Sequence, residues 1–305
     1  MNTTDGSIKN PWVDLFQLFV WLLICTIGMQ VVLLITALIF GKELSDLAVI
    51  IPNRGPDFFS YLALASGSLG TFLLPAYFFQ QRRREFSLFP TDNPADWKRY
   101  IGPILFLFAL APLMNLIGEW NMHMQLPESL SKIEAWMRQQ EDNMAQLTGQ
   151  IVMTTSWKRL LLNIIVIGML PAICEEFFFR GALQHIFKHI LKNEHAAVWV
   201  VGFIFSVIHF QFYGFFPRFI LGVIFGYAVL WTGNIWTAVL AHFVNNTSVV
   251  IIAFYFARQG KGYEALMEVD TYPIIMYLGS FVFSAMIGFA FYHYIKKEAI
   301  WKKAG

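Results

Sequence analysis

Charge is scarce in this chain: 14% of its 305 residues are Asp, Glu, Lys or Arg. Soluble domains carry about 25%, so an ordinary globular surface is excluded. Hydrophobic residues make up 57% and the mean hydropathy is +0.54, so lipid-facing surface stands where polar surface is missing. Cysteine is scarcer still. Cys25 and Cys174 both lie in apolar runs, which argues against a disulfide framework. The formal net charge of +2 is too small to argue for a nucleic-acid partner. There is no internal repeat and no low-complexity tract. A cleavable signal is also missing: residues 1–14 are polar with a single Lys9, and the apolar run that follows is too long for a signal-peptide core. This first segment is expected to be retained.

What is present is a succession of apolar runs, and the expected fold is all-α, a polytopic membrane helix bundle of about eight transmembrane helices in one membrane domain, residues 1–305. Expected spans are Leu15–Phe40, Tyr61–Phe79, Tyr100–Ile117, a fourth from about Leu160 to past Lys188, Ala196–Phe212, Phe215–Trp231, Ile235–Phe256 and Tyr272–Ile295. The first two are joined through Pro52, Gly55 and Pro56, and Thr232-Gly233-Asn234 reads as a tight turn. The basic run Arg82-Arg83-Arg84, with Lys98 and Arg99 in the same loop, marks that loop as cytoplasmic by the positive-inside rule. The N-terminus is then cytoplasmic, and so is the tail with Lys296, Lys297, Lys302 and Lys303. Residues 118–158 form a long hydrophilic insert on the extracytoplasmic side. Its middle, Leu130–Leu147, is amphipathic, suited to lie at the interface or to cap the bundle.

Against this background one stretch stands out: Cys174-Glu175-Glu176-Phe177-Phe178-Phe179-Arg180. Ionisable side chains at membrane depth are costly and mark functional sites by default. Glu176 and Arg180 are four apart with the acid N-terminal, the favourable order for a helical pair. Glu175 is rotated about 100° away. The spacing therefore predicts one structural carboxylate, Glu176, and one working carboxylate, Glu175. Pro171, one turn earlier, frees a backbone carbonyl and is expected to kink the helix. Two later apolar segments supply partners: His209, four residues after Phe205, and His242 with Asn246 one turn on. Such a set suits water activation, with a buried Glu taking a proton, a His holding the water, and His and Asn donors for an oxyanion. The same Glu and His side chains are also able to hold Zn²⁺. No cofactor is required by the pattern, and the HExxH motif of the zincins is absent.

These strings, Glu175-Glu176-x-x-x-Arg180, Phe205-x-x-x-His209 and His242-x-x-x-Asn246, in order on successive apolar helices, resemble the CPBP family of intramembrane proteases. These are the CAAX-protease and bacteriocin-processing relatives of the prenyl-protein endopeptidase Rce1. The resemblance covers residues 160–255. It implies an eight-helix bundle in the membrane, most simply a bacterial inner membrane, that hydrolyses a peptide bond of a membrane-tethered protein or peptide. It further implies Glu175 as general base, His209 as water ligand, His242 and Asn246 as oxyanion donors, and Glu176 with Arg180 as the supporting pair. The family is commonly labelled metalloprotease, although its site is also described as metal-free. Two other classes remain. One is a non-catalytic bacteriocin-immunity or scaffold protein of the same fold. The other is a proton-coupled transporter, which the lack of inverted repeats disfavours.

Other polar residues have simpler readings. His185 and His189, four apart, are read as a headgroup-facing cluster rather than a metal pair. His123, His195 and His293 are read as incidental, and Cys174 as an inert buried thiol. Asn245 is expected to support Asn246. Arg218 is read as a snorkelling anchor. The chain carries no C-terminal CAAX sequence and is not expected to be its own substrate.

Overall fold

The computed structural model describes residues 10–41, 56–83, 96–268 and 271–304. Lys9, Pro52, Gly55 and Arg84, which entered the sequence reading, lie outside the described residues, as do the side chains of Lys302 and Lys303. The elements are α1 (Pro11–Ile39), α2 (Phe58–Arg82), α3 (Trp97–Met122), α4 (Ser131–Val152), α5 (Trp157–Leu191), α6 (Glu194–Val207), α7 (Phe215–Thr232), α8 (Ile235–Arg258), α9 (Tyr263–Met267) and α10 (Ile274–Ala304). There is no strand among the described residues.

The protein is an all-α integral membrane bundle. Seven of these helices, α1, α2, α3, α5, α7, α8 and α10, are long and apolar enough to cross a membrane. The fifth expected span is the exception. Instead of Ala196–Phe212 the structure forms α6, a 14-residue helix ending at Val207. It rises about 21 Å, short of the ~30 Å hydrocarbon core. The chain leaves the helix through Phe210, which takes a left-handed backbone at φ 51°. Beyond it Ser206 Oγ donates to the Phe215 carbonyl at 2.6 Å, so the end of α6 is tied to the start of α7.

Polar contacts define the two ends of the bundle. At one end Arg83 pairs with the buried Asp14, Arg99 donates to the Thr232 carbonyl at 3.2 Å, and Tyr294 bonds Asp96. Lys188 pairs with Glu194 there. At the other end Asn121 Nδ2 donates to the Phe212 carbonyl at 3.0 Å and its Oδ1 accepts from Phe216 N–H at 3.0 Å. Asn163, fully buried, accepts from Tyr61 Oη at 2.7 Å and donates to the Ile151 carbonyl at 2.8 Å, joining α2, α4 and α5. Between α7 and α8 the turn is as the sequence predicts. Gly233 sits at φ 64°, and Asn234 caps α8 by accepting from Trp236 N–H.

The helix α4 occupies the amphipathic insert, its C-terminal end packed on the bundle and Leu130, Ile133, Trp136 and Met144 exposed. Its C-terminal Ile151 and Val152 are buried against Tyr61, Val166, Leu160, Val250 and Phe254. Earlier along it, Trp136 packs on Phe212 and Arg138 lies over the Tyr213 ring at 4.4 Å.

Helices α6 and α7 approach through glycine. A Cβ on Gly222 would stand 2.9 Å from the Gly202 Cα, with backbone rather than a flexible side chain in the way. We expect Gly222→Val to lower the unfolding midpoint in detergent, at a cost of about 1–3 kcal/mol or more, as overpacking does in close-packed interiors. An unchanged midpoint would count against this close crossing.

Candidate active site

The site is assembled on α5, which does not run as one uniform α-helix. It widens into π turns at Ile164–Met169 and Phe177–Leu183, on either side of Leu170–Glu176, the segment with Pro171 and the two glutamates. A π turn inserts a residue into the helix and commonly marks a functional position. The expected disturbance at Pro171 therefore takes the form of π turns. Pro171 has no N–H to give the carbonyl four residues earlier, that of Ile167. Asn246 Nδ2 from α8 faces that carbonyl at 3.4 Å.

Glu176 is fully buried, and its Oε1 accepts two hydrogen bonds: from Arg180 Nη1 at 2.9 Å and from His242 Nδ1 at 2.8 Å. Arg180, 3% exposed, also donates from Nη2 to the Gly222 carbonyl at 2.9 Å. Its guanidinium lies 4.8 Å from the Phe205 ring centre and 5.5 Å from that of Phe225, a desolvated cation on aromatic faces. Phe225 in turn stacks on His242 at 4.9 Å, and Phe205 stands edge-on to both His209 and His242. One carboxylate thus joins α5 to α8, and one guanidinium joins α5 to α7, with Phe205 of α6 between them.

The spacing predicts Arg180 as the partner of Glu176 and leaves His242 on the oxyanion side. The structure gives Glu176 both partners. An ionised carboxylate only accepts hydrogen bonds, so His242 donates from Nδ1 and its Nε2 is left for other work. His209 follows the same logic. Its Nδ1 meets the Phe205 carbonyl at 2.7 Å, which fixes the proton on Nδ1 and leaves Nε2 with a lone pair. The Phe205-x-x-x-His209 spacing is therefore a local device in which the phenylalanine contributes its carbonyl as well as its ring.

Glu175 differs from its neighbour. It is buried at 9% exposure, and its Oε2 has no hydrogen-bond partner among the described residues. His242 stands within Coulombic reach of both Glu175 and His209. Asn246 is less closely joined. Besides Ile167, its Oδ1 accepts from Asn245 Nδ2 at 3.3 Å, which gives Asn245 the supporting place expected of it. No hydrogen bond links Asn246 to Glu175, His209 or His242 among the described residues. No group of three His, Cys, Asp or Glu side chains among the described residues is arranged to hold a metal ion. The donor set among the described residues thus does not fit a resident metal.

His185 and His189 pack ring to ring at 4.6 Å with no such third ligand. Arg218, read from sequence as a snorkelling anchor, is half-buried and turns back to donate to the Gln211 carbonyl at 3.0 Å and to Gln211 Oε1 at 2.8 Å. The sequence reading missed Gln184, whose Nε2 donates to the Gly226 carbonyl at 3.3 Å. With Arg180 on Gly222 this makes two rungs from α5 to α7, each four residues apart on both helices. The signal that points to it is the small-residue spacing Gly222-x-x-x-Gly226, which lets a neighbouring backbone come close.

Removing one member of a buried pair strands the other, which costs about 3–5 kcal/mol. Glu176→Ala is therefore expected to lose folded protein in detergent, whereas Glu175→Gln, at a carboxylate without a bound partner on Oε2, keeps a midpoint close to wild type. Size-exclusion profiles and thermal unfolding of the two variants check this. Equal stability of both would refute the division of labour between the carboxylates.

A model of the family described as type II CAAX prenyl endopeptidase Rce1-like matches residues 157–248. The uncharacterized protein YpbD of Bacillus subtilis (strain 168) is 32% identical over 91 residues, 28% of this chain and 43% of that protein. The chain thus spans less than half the length of the curated relative it matches. No solved structure matches. The matched residues run from the start of α5 into α8 and hold every member of the constellation from Glu175 to Asn246, so the part of the chain that builds this site is similar to the Rce1-like family.

Proposed function

We propose that this protein is an intramembrane endopeptidase of the CAAX-protease type, hydrolysing a peptide bond of a membrane-tethered protein or peptide with water activated by Glu175. The observation that carries this reading is the contrast between two adjacent buried carboxylates: Glu176 Oε1 is committed to Arg180 and His242, whereas no hydrogen bond among the described residues engages Glu175, although each keeps an unpartnered Oε2. A carboxylate kept from water and not consumed by a cation is suited to take a proton.

In this reading water lies between Glu175 and His209. Nε2 of His209, in the neutral ring that donates from Nδ1 to the Phe205 carbonyl, accepts a hydrogen bond from the water and orients its oxygen. Glu175 takes one water proton as the oxygen attacks the scissile carbonyl carbon, and the other proton stays on that oxygen. The negative charge on the tetrahedral oxygen is met from the α8 side. Asn246 Nδ2 has a second N–H beyond the one aimed at Ile167. His242, its Nδ1 tied to Glu176, stands on the same side. Collapse breaks the C–N bond, and the proton held by Glu175 passes to the leaving amine. A bacterial membrane as the setting is supported by the Bacillus subtilis relative.

The test compares peptide termini of the membrane proteome in cells carrying wild type or Glu175→Gln, with His209→Ala in parallel. Loss of a general base slows such reactions by about 10²–10⁴-fold, so termini produced by wild type should vanish in Glu175→Gln. Removing an oxyanion donor with Asn246→Ala should cost about 10²–10³-fold. Identical termini with the variants present at wild-type levels would overturn the proteolytic reading in favour of a scaffold or immunity role.

A further inference from the structure

The two ends of the bundle differ in charge and in what lies between each end and the site. One end gathers Arg82, Arg83, Lys98, Lys188, Lys192 and Lys296, on or beside α2, α3, α5 and α10. Between that end and the constellation the interior is apolar. Phe178, Phe179, Leu183 and Ile186 pack with Leu18 and Phe79 into one cluster that also takes in Phe205. A cavity of about 770 Å³ borders this cluster, and apart from Thr71 its lining is apolar.

At the opposite end the packing opens. A chamber of about 430 Å³ lies between the end of α3, α4, the start of α7 and the segment around α9, with Arg138, Glu141, Tyr213, Arg218 and Glu268 in its wall. Its wall is hydrogen-bonded to the turn that carries His209. Glu141 Oε1 accepts from Gln211 Nε2 at 3.3 Å, and Gln211, two residues after His209, accepts from Arg218 through both its amide and its backbone oxygen. The second oxygen of Glu141 is buried and has no hydrogen-bond partner among the described residues.

Lys and Arg beside membrane spans favour the cytoplasmic side, which assigns the basic end to the cytoplasm and the chamber to the opposite face. We infer that the site is entered through this chamber from the non-cytoplasmic side, and that what enters is a polar stretch of polypeptide. The lining selects the class of occupant. Charged groups of both signs and an unclaimed buried carboxylate oxygen match the N–H and C=O groups of a peptide, whereas a hydrocarbon chain would leave them desolvated and unpaired. The cleavage itself rests on the function proposed above; the orientation and the entrance do not.

Single cysteines separate the two. Cys25 and Cys174 are buried, so the natural chain is the unlabelled control. Glu268→Cys places a thiol in the chamber wall, and Lys297→Cys places one on the exposed basic end of α10. With a membrane-impermeant maleimide on intact cells, Glu268→Cys is expected to be labelled, and Lys297→Cys only after permeabilisation. The reverse pattern overturns the inference whatever the activity. A bulky maleimide on Glu268→Cys is expected to abolish the cleavage seen with the same variant unlabelled. Full cleavage by the labelled protein overturns the entrance. Absence of any cleavage dependent on Glu175, with Glu268→Cys labelled from outside, removes the catalytic reading and leaves the exposure of the chamber standing.

Discussion

Everything in the centre of this bundle depends on keeping one guanidinium out of water. Arg180 cannot give up its charge, and at 3% exposure it cannot reach a headgroup. Its two terminal nitrogens are met by one carboxylate oxygen on its own helix and one backbone carbonyl on α7, and its face lies near the rings of Phe205 and Phe225, while Nε has no hydrogen-bond partner among the described residues. Each provider fixes a helix. The carbonyl is accessible because glycine at 222 leaves the α7 backbone bare. The rings come from α6 and α7. Glu176, held by Arg180, then serves as the anchor for His242 on α8.

A consequence is that two neighbouring glutamates acquire opposite characters with no difference in their chemistry. Burial makes both expensive in the charged state. Glu176 is compensated by two donors on one oxygen, Oε1. Glu175 faces a different direction from the same helix and is held by no donor among the described residues. Backbone carbonyls do comparable work for the histidines and Asn246. Phe205 sets which nitrogen of His209 carries the proton, and the carbonyl that Pro171 cannot serve, that of Ile167, gives Asn246 a fixed point on α5.

Much of this was legible beforehand, and the misses share a cause. The long spans follow from composition alone, because a run of apolar residues in a chain so poor in charge has few other fates. The Glu176–Arg180 pair follows from helical spacing, and survives the π turn because Arg180's side chain is long. By contrast, the end of α6 at Val207 was hidden. Hydropathy continues through Phe210 and Phe212, but Ser206 and the left-handed Phe210 turn the chain towards α7. The His242–Glu176 contact spans 66 residues, and no local periodicity reports a contact between helices. The bonds of Arg218 were hidden for the same reason, since its acceptors on Gln211 come close only once the turn after α6 has formed.

The π turn at Phe177–Leu183 separates the tolerance of the fold from that of the site. A helix carrying one surplus residue sheds it readily: deletion of one residue between Glu176 and Arg180 lets the segment close into ordinary α-helix with its flanks little moved. The helix absorbs such a loss, yet Arg180 then stands three residues from Glu176 and its guanidinium leaves its place beside Gly222 and the rings. The number of residues in that interval, rather than any one identity within it, is therefore itself under constraint. A chain of this kind one residue shorter there would still fold as a bundle and would no longer hold its two glutamates apart in character.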